Sequence, residues 1–105
     1  MKEDLLKIIN NYGVSNQLKK MSEEVFELQE AIIDAEYNRY VGVIRKPGEK
    51  AIEHIEEEFA DCCVVLEQFK AYYDLDNDKI IEIMKKKINR QLKRIEREKE
   101  EENYN

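Results

Sequence analysis

A chain of 105 residues with 42% apolar and 40% charged residues, but only three glycines and one proline, has room for one domain and lacks the turn chemistry of an all-β fold. Its 24 acidic and 18 basic residues leave a formal charge of −6, with no basic cluster free of acidic neighbours, which excludes a nucleic-acid footprint. The apolar runs are too short to span a membrane and the Met1 start has no signal-peptide core, so the expectation is a soluble, cytoplasmic protein.

Residues 2 to 11 set Leu5, Leu6, Ile8 and Ile9 on one side of a short helix, and Tyr12-Gly13 stops it, because glycine accepts the left-handed conformation that follows a helix. From Ser15, the residues Leu18, Met21, Val25, Leu28, Ile32 and Ala35 recur in steps of three and four, which predicts a second helix to about Tyr37 with that stripe buried. Residues 38 to 48 contain Gly42 and Pro47-Gly48, have no sustained period, and read as a loop. Ile52, Ile55, Phe59, Cys62, Leu66, Phe69 and Tyr73 then mark a third helix. Its neighbouring Cys62 and Cys63 point about 100° apart, so they form neither an ordinary bridge nor a zinc site. The acidic run from Asp74 to Asp78 offers N-caps for a fourth helix built on Ile81, Met84, Ile88, Leu92 and Ile95. Beyond Ile95, the residues Glu96 to Glu102 carry no stripe and should fray or extend into solvent. The expected architecture is one all-α, four-helix bundle-like domain over residues 1–105, with 96–105 as a charged tail.

The second and third helices repeat one register, with Leu18, Met21, Val25, Leu28 and Ile32 matched by Ile52, Ile55, Phe59, Cys62 and Leu66. Under the same match Glu24 and Glu27 fall on Glu58 and Asp61, so each acidic pair flanks its stripe one turn apart. Helices joined by a short loop pack antiparallel, which brings residues at equal distance from the turn to one level. Glu24 with Asp61, and Glu27 with Glu58, are equidistant from a midpoint at Gly42-Val43, inside the loop assigned from glycine and proline. Four carboxylates should therefore converge, and four like charges repel unless protons or cations neutralise them.

Oxygen ligands select hard cations, and the chain has one histidine, His54, with Ala51 three residues before it, so the Glu-x-x-His pattern of di-iron bundles is absent. Mg²⁺, or Mn²⁺ in its place, is the cation expected at Glu24, Glu27, Glu58 and Asp61. Glu23 and Glu57 point roughly 100° away from the inner pairs, and Glu23 could reach a second ion. Gln17 and Lys20 lie on the Glu24 and Glu27 face of the second helix, where Lys20 can either pair with those acids or meet a ligand's phosphates. Lys87, Arg90 and Arg94 share one flank of the fourth helix, a pattern that holds phosphates or decorates a surface.

The run Gln17-x-x-Lys20-x-x-Glu23-Glu24-x-x-Glu27, followed about thirty residues later by Glu57-Glu58-x-x-Asp61, resembles the MazG-like all-α nucleoside triphosphate pyrophosphohydrolases over roughly residues 12 to 95. The related dimeric dUTPases and dCTPases share the acidic signature but are usually longer. The chain departs from the family pattern in residues 38 to 50 and in having no tryptophan. The resemblance implies hydrolysis of a (d)NTP to the monophosphate and pyrophosphate. It also implies Mg²⁺ on Glu24, Glu27, Glu58 and Asp61, water activation by Glu23 or an inner carboxylate, phosphate contacts from Lys87 and Arg90, and a homodimer or homotetramer.

Tyr12, Phe26, Tyr37, Tyr40, Tyr72 and Tyr73 are the aromatics available to a base or to packing. Phe26 and Ile33 lie off the main stripe of the second helix, where a subunit interface would bury them. Two other classes stay open at this level: a metal-binding, nucleotide-sensing regulator without catalysis, and a helical interaction module whose acids are solvated.

Overall fold

A computed structural model describes residues 1–41 and 48–104, and among these every regular element is an α-helix. The order is α1 (Lys2–Tyr12), α2 (Val14–Val41), α3 (Glu49–Tyr72) and α4 (Asn77–Tyr104). None of the described helices is long and apolar enough to cross a membrane. The all-α expectation holds. Of the predicted loop 38–48, residues 38–41 instead continue α2 past Tyr37, no glycine or proline standing among them, while 42–47, and with them the hairpin midpoint, lie outside the described residues.

Local chemistry explains the boundaries. Gly13 has φ 90° and donates its N–H to the Ile9 carbonyl at 2.8 Å, a backbone conformation in which any side chain is strained, and α2 starts at the next residue. At the far end of α3, the Tyr73 and Asp74 amides donate to the Phe69 and Ala71 carbonyls, and Asp74 turns left-handed at φ 49°. Its carboxylate meets Lys2 Nζ at 2.8 Å, which ties the start of α1 to the end of α3.

The chain divides into two units, Met1–Asp74 and Leu75–Asn105. In the first, α2 and α3 form an antiparallel hairpin and α1 lies against both, chiefly against α3. The second unit is α4. Asp76 caps it, its Oδ1 accepting the Asp78 and Lys79 amides at 3.0 and 3.2 Å. The charged segment after Ile95 stays helical to Tyr104. Glu, Lys and Arg are strong helix formers and no glycine or proline interrupts them, so an apolar stripe is not needed to continue the helix. Ile81, Met84, Ile88, Leu92 and Ile95 are exposed along α4.

The phase of the α2–α3 seam corrects the sequence reading. The stripe Leu18, Met21, Val25, Leu28, Ile32 and Ala35 was expected to be buried together; Ala35 is buried, yet Leu18, Val25 and Ile32 are 40–51% exposed. Their counterparts Ile52, Phe59 and Leu66 on α3 are 41–57% exposed. The residues that are buried include Gln17, Glu24, Ala31 and Ala35 on α2, and Cys62, Val65 and Gln68 on α3. Only half of the apolar stripe faces the seam, and small and polar side chains fill the rest of it. Each exposed residue follows a seam residue by one position. Because the helices run in opposite directions, that step turns to the same side on both. Leu18, Val25, Ile32, Ile52, Phe59 and Leu66 therefore share one flank of the hairpin.

Candidate metal centre and adjoining cavity

The rotation of the seam moves the acids from its border into it. Glu24 and Glu27, one turn apart on α2, meet Glu58 from α3, and each contributes a carboxylate oxygen to a group lying within 4.8 Å of one another. Glu24 is 5% exposed. Its Oε1 accepts from Lys20 Nζ at 2.9 Å, while its Oε2 is buried without a hydrogen-bond partner. Glu58 is in the same condition: its Oε1 lies 3.4 Å from His54 Nε2, and its Oε2 is buried and unpartnered. Each orphaned carboxylate oxygen carries a desolvation penalty that a cation would remove.

The charges register on one another. Glu24's negative charge pushes the exposed Glu27 carboxyl above the ordinary carboxylate range, with smaller contributions from desolvation and from Glu58. The hydrogen bond and charge of Glu24 in turn raise Lys20. Lys20, which the sequence left between an ion pair and a phosphate contact, is paired with Glu24 in this structure.

Asp61, the fourth expected carboxylate, is not in this group; its side chain is one methylene shorter than a glutamate's. It is exposed and lines, with Glu23 and Glu24, a cavity of about 580 Å³ between α1, α2 and α3. The other walls are Ile8 and Tyr12 of α1, Asn16, Gln17, Lys19 and Lys20 of α2, and Val64, Val65 and Gln68 of α3. Gln17 Nε2 donates to Gln68 Oε1 at 2.7 Å across the seam. Gln17 and Gln68 are equidistant from the same hairpin midpoint as the acids, so both this bond and the Glu27–Glu58 approach follow the antiparallel register. That relation was available in the sequence, and it could have singled out Gln68, which the acidic pattern alone did not. Glu57 is exposed on α3. Lys87 and Arg90 are exposed on α4, in the second unit.

Chemically, the arrangement offers hard oxygen donors whose mutual repulsion a divalent cation would relieve, beside a cavity of ligand size with both polar and apolar walls. Comparison of the chain with protein-family models, with curated proteins and with solved structures gives no match.

Proposed function

We propose that this protein is a Mg²⁺-dependent nucleotide pyrophosphohydrolase, converting a (d)NTP to the (d)NMP and pyrophosphate. The observation that carries the reading is the pair of buried, unpartnered oxygens on Glu24 and Glu58, inside a three-carboxylate group that opens beside a cavity of ligand size. In this reading Glu24, Glu27 and Glu58 hold the cation, and Asp61 completes its oxygen donors from the cavity side. Mg²⁺ there would supply the positive charge that lets a triphosphate approach carboxylates, and would acidify a water ligand. Glu23, which lines the cavity next to Glu24, would orient or deprotonate the attacking water. Lys20, paired with Glu24 and itself lining the cavity, would turn toward phosphate oxygens. The reading rests on the first unit and assigns no step to Lys87 or Arg90. The cytoplasm, which supplies both Mg²⁺ and nucleoside triphosphates, is the compartment this activity calls for.

Self-association belongs to the same proposal. Leu18, Val25, Ile32, Ile52, Phe59 and Leu66 form one apolar flank, with Phe26 and Ile33 beside it at 59% and 63% exposure. A second copy of the chain pairing along this flank leaves the carboxylate side open.

The test is incubation with a panel of common and deaminated (d)NTPs in Mg²⁺, with products separated by chromatography. The expected products are a nucleoside monophosphate and pyrophosphate from at least one nucleotide. Orthophosphate as the primary product rejects the pyrophosphohydrolase, and no hydrolysis while Mg²⁺ still binds rejects the enzyme and leaves the metal-binding regulator.

A further inference from the structure

Gln17 and Gln68 are 7% and 2% exposed, both line the cavity, and they spend one amide hydrogen and one carbonyl on each other. Gln17 Oε1 and Gln68 Nε2 make no hydrogen bond to any described residue, so one acceptor and one donor are left side by side on a cavity wall. Neither atom is sealed from solvent, so a ligand in the cavity can meet both. The pair stands two turns from Glu24 along α2, roughly 10 Å at 1.5 Å per residue, which is about the separation of a nucleotide's base edge from its phosphates. Tyr12, Val64 and Val65 supply aromatic and apolar wall near it.

We propose that the Gln17–Gln68 pair is the base-reading element of this cavity, hydrogen-bonding the edge of a nucleobase whose phosphates lie toward Glu24. This deepens the nucleotide reading above and rests on it for the identity of the ligand. As arranged, Gln17 Oε1 accepts from a ring N–H and Gln68 Nε2 donates to the adjacent carbonyl, the edge presented by uracil. If both amides turn over together, the bond between them is kept in the reverse sense, with Gln68 donating to Gln17. The cavity then sees a donor at Gln17 and an acceptor at Gln68, which suits the ring nitrogen and amino group of cytosine. One buried pair thus serves two opposite edges, and the cavity is expected to be tolerant of the base.

Titration of the full chain with uridine, cytidine and 3-methyluridine in EDTA, followed by amide chemical shifts, tests this without metal or hydrolysis. Uridine and cytidine should bind within about threefold of each other. 3-Methyluridine, which has lost its ring N–H, should bind about tenfold more weakly, the worth of one neutral hydrogen bond. Gln68→Leu should weaken both unmodified nucleosides about tenfold while keeping the Mg²⁺-dependent rise in melting temperature, which reports an intact fold and carboxylate group. Equal binding of 3-methyluridine, or absence of nucleoside binding at millimolar concentration, overturns the inference even where Mg²⁺ binding and pyrophosphate release are both found. Failure of those two with nucleoside binding intact would instead overturn the catalytic reading alone.

Discussion

Glu58→Gln separates a metal site from a structural network more sharply than any other single change. Glu24 and Glu58 bring carboxylate oxygens within 4.8 Å, and both have a buried oxygen without a partner. Two unit charges at that distance repel by about 3 kcal/mol at an effective dielectric of 20. Lys20 on Glu24 and nearby water reduce this, so removing one charge should return about 1–2 kcal/mol. The new amide can also donate to the orphaned Glu24 oxygen. What is lost is the 3.4 Å contact to the half-exposed His54, an ion pair only when the imidazole is protonated, and worth less than about 1 kcal/mol. For a domain of this size, Tm in EDTA should therefore rise by about 4–8 °C. Mg²⁺ acts oppositely on the two proteins. At a hundred times its Kd it should stabilise the wild type by about 2.7 kcal/mol, or roughly 10 °C, and the variant hardly at all. Melting curves by circular dichroism, in EDTA and in saturating Mg²⁺, should thus reverse the order of the two proteins. A variant that melts lower in EDTA, or that gains as much from Mg²⁺ as the wild type does, would refute the reasoning and make Glu58 a structural partner.

Three further outcomes follow from other features. Glu27 binds its proton more tightly folded than unfolded, because Glu24's charge, partial desolvation and Glu58 all raise its carboxyl above the ordinary 4.5. That contribution to stability is therefore present at low pH and lost as pH rises through the folded-state value. Metal-free Tm should climb as pH is lowered through the folded-state value toward the ordinary 4.5, and Mg²⁺ should flatten the climb; a metal-free Tm that only falls on the way to 4.5 contradicts it. Phe59→Lys, which places a charge in the middle of the exposed apolar flank, should convert a dimer of 12.6 kDa chains to monomer by light scattering; a wild type already monomeric at micromolar concentration sinks the interface. Asp76→Ala removes the acceptor for two amides of α4, and at about 1 kcal/mol hydrogen exchange at Asp78 and Lys79 should speed up roughly fivefold.

The parts of the structure that were legible in the sequence are those decided locally. Gly13 ends α1, Asp76 caps α4, and the period of three and four marks the helices, because each depends on residues within a turn of one another. The antiparallel level of the acids was legible too, since it needs only the position of a turn. The rotation of α2 and α3 was not. A wide apolar stripe has a centre, and the natural expectation is that the centre faces the partner. Here the seam runs along one edge of it, through Ala35 and Cys62 of the stripes and Ala31 and Val65 beside them. Polar Gln17, Glu24 and Gln68 occupy the same seam, and nothing in a single helix's pattern states that a glutamate is buried. The shortfall at Asp61 has the same origin, since register gives the level of a carboxylate and not the reach of its side chain.

A seam filled by alanines, a cysteine, two amides and a glutamate has a thermodynamic consequence. Buried apolar residues are few among the described residues of the first unit: Ile9, Ala31, Ala35, Cys62 and Val65. Most of its large aliphatic and aromatic surface lies instead on the outer flank. If a second copy covers that flank, folding and association draw on the same apolar area, and dilution becomes a denaturant. The carboxylate group would then be assembled only above a threshold concentration of the protein itself, so its capacity for a ligand would follow cellular abundance more steeply than the number of chains.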